Sequence, residues 1–292
     1  MVELVPITEV NKKRMIGIAQ SIPTKFVVVR LLDLISSITL EPKEVFYKIK
    51  NAGGIHNYLN YHGIIILSLI VKDDMLSKLT PPDYAFIINN LKPNFYTTPD
   101  GETYEGEQIV SIEEIKKSLF QTKELMRRCP SSSPIGHVKG CDEWMIDKHI
   151  NILKMFGIND FIFHTGDFFR SGDPNMINKA KNLAFKIRQR ARYLFLYGMC
   201  SQSNLLKFSF ADAYITNTHL VTALNGKKFI GTKKVKYSGE YNLKIVKENQ
   251  IEIYNNVQRL KEQKKLFEGG VCLWEEVQEE PVKVIAQQIK LQ

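Results

Sequence analysis

Five lysines lie within ten residues of the chain, and two aromatic side chains, Phe229 and Tyr237, accompany them. The lysines are Lys227, Lys228, Lys233, Lys234 and Lys236. Lysines bind phosphates and aromatic rings stack on bases, so the segment predicts a nucleic-acid-binding surface. We expect it just past the carboxyl end of the predicted sheet. A solvated β-hairpin with a lysine edge is the alternative interpretation.

A carboxylate, Asp100, follows the predicted strand 95–98. The carboxyl ends of strands are where barrel proteins hold their functional groups. A carboxylate at this position can accept two hydrogen bonds, from a ring N–H and from an exocyclic amine. Because Pro99-Asp100-Gly101 is also a common turn sequence, a turn residue is the alternative role.

The four cysteines are scattered along the chain, without a C-x-x-C or C-x-C pair. They are Cys129, Cys141, Cys200 and Cys272. This spacing excludes a disulfide framework and a zinc site built from neighbouring cysteines. We therefore expect no metal, no cofactor and a reducing compartment.

Short β-branched runs alternate with longer amphipathic stretches, and this order predicts the elements that position these residues. The predicted strands are 26–29, 64–69, 95–98, 135–138, 161–164, 195–197 and 213–216. Helices are predicted over 83–91, 110–128, 142–156 and from 173 to about 192. Strands that are apolar on both faces and separated by helices are typical of a parallel sheet under helical cover.

The repeat approaches the eight units of a closed TIM barrel, an α/β fold. An open doubly wound sheet is the alternative, although no glycine-rich dinucleotide fingerprint follows any strand. We predict a barrel over 1–226 and a basic, partly helical C-terminal appendage over 227–292.

Composition limits the class of protein. The 292 residues include 40 Lys and Arg against 31 Asp and Glu, which gives a net charge of +9 and is compatible with a polyanionic partner. The longest apolar run, Gly63 to Val71, is far below the roughly 18 residues of a membrane helix. Polar and charged residues are spread throughout residues 1–20, unlike in a secretory signal. These features predict a cytoplasmic protein that does not enter a membrane.

Three segments together resemble the tRNA-guanine transglycosylase superfamily, whose members exchange guanine for a 7-deazaguanine base in nucleic acid. The first is the glycine-histidine block Gly53-Gly54-Ile55-His56, which continues to Gly63 before a hydrophobic strand. The second is Gly136-His137-Val138-Lys139-Gly140. The third combines Tyr197-Gly198-Met199, Ala211-Asp212-Ala213-Tyr214 and Ala223-Leu224-Asn225-Gly226. The resemblance implies a TIM barrel and covers about residues 14 to 228.

The resemblance also assigns roles to individual positions. Asp100 matches the carboxylate that recognises the edge of the base, and Gly166 matches a glycine that lets the backbone approach it. Lys139-Gly140 stands where the family has Gln-Gly. An amide that both donates and accepts hydrogen bonds is thus replaced by an ammonium that only donates them. The family's cysteine-rich zinc site is missing after Gly226, where Cys272 stands alone.

The two catalytic aspartates of the family are not matched. Ser68 and Ile215 occupy those positions, and neither is a carboxylate nucleophile or a general acid. Asp212 is the weak candidate for a replacement. Asp73 or Asp74, or a water held by Thr216 or Asn217, are further candidates.

Two hypotheses follow from the resemblance. The protein is either an exchange enzyme with a remodelled site or a non-catalytic paralogue that binds nucleic acid or a partner subunit. The missing carboxylates favour the second. The expected partners are tRNA or DNA, a guanine or 7-deazaguanine base, and a protein partner or a second copy of the chain. An unrelated small-molecule barrel enzyme is a third hypothesis, because a fold does not fix function.

Overall fold

The computed structural model describes residues 3–10, 14–170, 172–198, 205, 207–237 and 242–267. Its main feature is a single sheet of eight parallel strands. The strands are β1 (Glu3–Pro6), β2 (Phe26–Arg30), β3 (Ile64–Ser68), β4 (Phe95–Thr97), β5 (Ser133–His137), β6 (Asp160–His164), β7 (Tyr193–Tyr197) and β8 (Ala213–Thr216). Their order in the sheet is β1-β8-β7-β6-β5-β4-β3-β2.

The two edge strands of this sheet meet. Just past β1, Ile7 forms a parallel bridge with Val28 of β2, and the Thr8 N–H donates to the Val28 carbonyl at 2.9 Å. The sheet is thus a nearly closed eight-stranded barrel, and the predicted α/β TIM-type fold is confirmed. All seven predicted strands are present, and β1 is the strand that the prediction missed.

Helices connect the strands and cover the outside of the barrel. They are α1 (Arg14–Ala19), α2 (Glu44–Asn51), α3 (Ile55–Leu59), α4 (Asp73–Leu76), α5 (Pro81–Leu91), α6 (Gln108–Arg128), α7 (Glu143–Met155), α8 (Gly166–Arg170), α9 (Pro174–Arg188), α10 (Thr218–Leu224) and α11 (Leu243–Phe267). Capping side chains fix several starts. Thr80 and Asp83 form a capping box on α5, and Asp142 accepts a hydrogen bond from the Met145 N–H at 2.8 Å on α7.

Alternate side chains of the strands fill the barrel interior. The buried apolar residues there are Val5, Ile7, Phe26, Val28, Ile66, Ile135, Ile162, Phe195, Ala213 and Ile215. The neighbouring positions point outward and pack under the helices. The interior is therefore a packed core, and functional groups must lie above it, at the carboxyl ends of the strands.

The segment after Gly226 packs against the barrel. Strands β9 (Lys227–Ile230) and β10 (Lys233–Lys236) form an antiparallel hairpin, and α11 follows it. Two side chains of α11 bind barrel backbone: Asn249 donates to the His219 carbonyl at 3.2 Å and Gln250 to the Ile18 carbonyl at 2.7 Å. The predicted appendage continues to residue 292, and 268–292 lie outside the described residues, as do Met199 and Cys200.

In the described part of the chain, none of the helices combines the length and the apolar character needed to span a bilayer.

Candidate functional site at the barrel mouth

The carboxyl ends of the strands place five polar side chains in a ring above the apolar interior. Each lies two residues beyond an interior residue of its strand, so it points to the same side of the sheet. They are Arg30, Ser68, His137, His164 and Tyr197. A change from apolar to polar side chains at this level defines the barrel mouth.

Asp100 and Lys139 meet at this mouth. The Lys139 Nζ lies 2.9 Å from Asp100 Oδ1, and the side chains are 17% and 9% exposed. The same oxygen accepts a hydrogen bond from the Gly101 N–H at 2.8 Å. Burial raises the pKa of Asp100, but the Lys139 ammonium outweighs this effect and holds the pKa below its usual value. Asp100 is therefore an anion at neutral pH.

His137 is buried beside this ion pair. Its Nδ1 lies 3.5 Å from Asp100 Oδ1, a long contact, and neither ring nitrogen has a hydrogen-bond partner among the described residues. Burial lowers the pKa of His137 to about 3, so the ring is neutral. A buried polar ring without partners is unusual in a protein interior and is a common feature of binding sites.

Helix α7 holds the backbone of Lys139 in place. The Lys139 N–H donates to Nδ1 of the buried His149 at 3.0 Å. Gly140 has φ +151°, and a Cβ there would lie 2.9 Å from the Met145 Cβ and 3.0 Å from the Ile146 nitrogen. Gly140 is thus required for the close approach of β5 to α7.

A pocket of about 150 Å³ opens between β5 and β6, and Lys139, Gly140 and His164 line it. Phe163 and Phe168 supply apolar walls. An apolar cavity of roughly this volume holds one benzene ring. The pocket therefore suits one planar ring system, with any larger part of a ligand outside it.

Gly166 does not line this pocket. A Cβ on Gly166 would lie 3.0 Å from the His164 Nε2, and a Cβ on Gly198 would lie 3.1 Å from the Gly166 nitrogen. The missing side chain of Gly166 thus makes room for the His164 ring, and that of Gly198 makes room for the Gly166 backbone. Contact between Gly166 and a base stays a prediction.

A second ion pair occupies the β2 side of the mouth. Arg30 donates to both oxygens of Asp33, from Nη2 at 2.8 Å and from Nε at 3.2 Å. Burial raises the pKa of Asp33 despite this contact, and the nearby charge of Glu9 acts in the same direction. Sequence reasoning missed Asp33 as a carboxylate that reaches the mouth.

The two positions that match the family's catalytic aspartates carry no acid. The Ser68 hydroxyl accepts the Ile70 N–H at 3.4 Å and lies near the Tyr197 side chain. Ile215 is fully buried in the barrel interior. The site has no carboxylate at either position.

The placement of Asp212 corrects the expectation that it replaces the missing nucleophile. Asp212 precedes β8, so it lies at the amino end of the barrel, away from the mouth. Its Oδ1 binds the Arg188 guanidinium at 3.1 Å, and its Oδ2 accepts the Leu194 N–H at 2.8 Å. These contacts give Asp212 a structural role.

The further candidates for a replacement offer no free carboxylate to the mouth. Asp73 and Asp74 are exposed on the short helix α4. The hydroxyl of Thr216 is bonded to the Thr218 hydroxyl at 2.7 Å and accepts the Thr218 N–H at 3.0 Å. Asn217 stands at the start of α10.

The five lysines form a β-hairpin, the second of the two interpretations of this segment, and they are not at the mouth. Helix α10 leads back from the carboxyl end of β8, and the hairpin begins where α10 ends. Phe229 is buried in the same cluster as Leu4 of β1. The expectation that the lysines lie just past the carboxyl face is thus corrected, because they lie beyond the returning helix.

The hairpin lysines lack acidic partners within the part of the chain that the structure describes. Lys227 and Lys236 stand directly opposite each other. The Lys234 Nζ lies 5.5 Å from the centre of the Phe229 ring, on the packed face. Lys228 and Lys233 are on the outer face with Ile230, which is 59% exposed.

His137, Arg30, Asp33 and Tyr197 are the mouth residues that sequence reasoning did not select. For Arg30, His137 and Tyr197, the sequence signal was the alternation of side chains along the strand. Each lies two positions after the last apolar residue that faces the interior. Asp33 follows β2 in a short 3-10 turn, Leu31–Asp33, and had no such signal.

Over the described residues, no three His, Cys, Asp or Glu side chains are grouped closely enough to bind a metal ion. In comparisons with known proteins, no family model and no curated protein matches the chain.

Proposed function

We propose that this barrel binds a guanine-type base, guanine or a 7-deazaguanine, at its mouth and belongs to the tRNA-guanine transglycosylase superfamily. The observation that supports it most is the buried Asp100 anion, whose ion-pair partner Lys139 lines a ring-sized pocket that Asp100 itself does not line. A carboxylate binds a ring N–H and an exocyclic amine, the donor edge of such a base. Lys139, on the pocket wall, supplies a donor for the neighbouring carbonyl oxygen.

We further propose that the protein binds the base without exchanging it by the usual aspartate chemistry. Ile215 and Ser68 stand at the positions that match the family's nucleophile and its second carboxylate. The Ser68 hydroxyl accepts the Ile70 N–H and has no base to activate it among the described residues. A binding protein or a partner subunit of an active enzyme fits this site better than an independent exchange enzyme.

Calorimetry with 7-deazaguanine tests the base-binding proposal. The unmodified protein is expected to bind 7-deazaguanine and to discriminate against adenine, whose edge presents an acceptor to Asp100. Asp100→Asn replaces an acceptor with a donor and is expected to weaken binding by about 1–3 kcal/mol. Equal affinities of the two proteins, or no binding by the unmodified one, would reject the proposal.

A remodelled exchange enzyme is the second candidate, and Asp33 is the observation that favours it. Asp33 is the carboxylate on the β2 side of the mouth, although Arg30 engages both of its oxygens. Incubation with tRNA or duplex DNA and labelled guanine tests this candidate. Incorporation, or a covalent adduct that survives denaturation and is lost in Asp33→Asn, would replace the non-catalytic proposal.

We propose that nucleic acid carries the base and contacts the lysine hairpin. Opposed like charges such as Lys227 and Lys236 destabilise a hairpin unless an anion lies between or near them. Lys228 and Lys233 present their charges on the outer face. The polyanion would then bind on the barrel wall beside β8 and reach the mouth from that side.

Charge reversal tests this partner. Replacing Lys228 and Lys233 by Glu is expected to weaken tRNA binding and to reduce the slope of log affinity against log salt by about 2. The matched control is the same replacement at Lys123 and Lys154, which are exposed on α6 and α7. Equal losses in both pairs would indicate net charge alone, and unchanged affinity in the hairpin variant would remove the hairpin from the interface.

A further inference from the structure

We infer that Lys139 is a built-in competitor of the ligand, since its ammonium occupies an acceptor position on Asp100 that the base must use. This inference rests on the proposed base-binding function. It concerns the control of the same site: the Asp100–Lys139 ion pair blocks the ligand position on Asp100, and ligand binding breaks this ion pair.

The hydrogen bonds of Asp100 show which acceptor positions are filled. Each carboxylate oxygen has two acceptor positions. Oδ1 takes the Gly101 N–H at 2.8 Å and the Lys139 ammonium at 2.9 Å, so it is full. Oδ2 makes no hydrogen bond within the described residues, and it is not a buried atom. One oxygen is therefore open to a ligand and the other is not.

A guanine-type edge needs both oxygens. Its ring N–H and its exocyclic amine point in parallel and bind a carboxylate as a two-pronged donor. One donor can use Oδ2, but the other requires Lys139 to leave Oδ1. A charge-assisted hydrogen bond is roughly twice as strong as a neutral one. The exchange is therefore unfavourable unless the ammonium gains a new acceptor.

The ligand itself supplies that acceptor. Lys139 lines the pocket and is only 17% exposed, so solvent does not fully replace Asp100 for the displaced ammonium. A guanine-type base carries a carbonyl oxygen next to its ring N–H. The ammonium can transfer from Asp100 to this oxygen while its backbone stays fixed by His149. Ligands without the carbonyl leave the ammonium unpaired, so Lys139 also acts as a selectivity device.

Neutral and charged replacements of Lys139 test the inference. Lys139→Gln keeps a donor for the ligand carbonyl but ends the ion pair, and it is expected to bind 7-deazaguanine at least tenfold more tightly than the unmodified protein. Lys139→Arg keeps the charge and is expected to bind no more tightly. Affinities are measured by calorimetry at pH 8, because burial raises the pKa of Asp100 once the ammonium no longer opposes it.

Lys186→Gln is the matched control. Lys186 lies on α9 outside the pocket lining and pairs with Glu143 at 3.0 Å and with Asp147 at 2.7 Å rather than with Asp100. It removes the same charge, and its affinity is expected to stay within twofold of the unmodified protein. A gain as large as that of Lys139→Gln would attribute the effect to general electrostatics and overturn the inference.

The remaining outcomes separate this inference from the proposed function. Equal or weaker binding by Lys139→Gln, with normal binding by the unmodified protein, makes Lys139 a plain contact and leaves base binding intact. Binding by Lys139→Gln alone supports the competitor role strongly. No binding by any variant overturns both. Should Lys139→Gln fail to fold, Lys139→Met also frees Asp100 and is expected to bind at least as tightly as the unmodified protein.

Discussion

The mouth and the amino end of the barrel each hold a carboxylate paired with a basic side chain, and the two pairs differ in what remains open. At the amino end, both oxygens of Asp212 are bonded, one to Arg188 and one to the Leu194 N–H. At the mouth, Asp100 binds Lys139 and the Gly101 N–H through one oxygen only. The neutral ring of His137 next to it lacks partners among the described residues.

This difference separates a structural ion pair from the proposed binding site in the same barrel. A carboxylate with both oxygens engaged has no free oxygen for a ligand, and its replacement affects folding first. An unsaturated pair above a packed core is unfavourable in isolation and becomes favourable when a ligand completes it. The following predictions use the two ends of the barrel as controls for each other.

Lowering the pH is expected to cause the largest loss of stability, because three histidines are buried at the mouth and in the helices of the barrel. Burial lowers the pKa of His137 to about 3 and those of His149 and His219 to about 4. Below the ordinary value of 6.5, the unfolded chain binds protons that the folded chain does not, so stability falls as pH decreases towards 4. The loss is about 3 to 4 kcal/mol between pH 6 and pH 5 for the three together.

Urea unfolding at pH 7, 6 and 5 measures this loss, and His219→Asn is expected to reduce it by about a third. A free energy of unfolding that stays constant from pH 7 to pH 5 would contradict the buried, neutral state of the histidines.

Loss of the amino-end pair is expected to have the next largest effect. Asp212→Ala leaves the Arg188 guanidinium and the Leu194 N–H without their partner, which should cost about 3 kcal/mol of stability. The double replacement Arg188→Met with Asp212→Leu is expected to recover part of this loss, since no buried charge remains. A change below about 0.5 kcal/mol in urea unfolding of Asp212→Ala would remove its structural role.

Two glycines at opposite ends of α7 give the smallest of the expected stability effects. Gly140, at the mouth, has φ +151° and no room for a Cβ, whereas Gly157, at the amino end, has φ +82° with nothing within 4 Å. Gly140→Ala is expected to cost about 2–3 kcal/mol, from strain and overpacking together. Gly157→Ala should cost about 1 kcal/mol, from the backbone alone. Equal costs would show that the close packing of β5 on α7 is not required.

The strands were predictable because their apolar, β-branched runs are long enough to distinguish from helices. The exception is β1, whose four residues end in Pro6 and show little pattern of their own. Its pairing with β8 and the bridge to β2 identify it, and such contacts between distant segments are not visible in a local window.

The site was predictable only in part, for a geometric reason. Asp100 and Lys139 could be selected because they follow their strands, and the parallel sheet brings them together. Asp212 precedes the predicted strand 213–216, so the sequence already placed it at the other end of the barrel. Whether a residue faces the interior depends on single-residue register. This dependence explains why His137 and Arg30 were found only in the structure.

Ligand-induced stabilisation of two matched variants tests the central claim most directly. The melting temperatures of the unmodified protein, Asp100→Asn and Asp212→Asn are measured with and without saturating 7-deazaguanine, which stabilises only proteins that bind it. Asp212→Asn is expected to melt at a lower temperature but to gain the same stabilisation from the ligand as the unmodified protein. Asp100→Asn is expected to keep its melting temperature and to gain almost none. Full stabilisation of Asp100→Asn, or its loss in Asp212→Asn alone, would contradict the assignment of the binding site to the mouth.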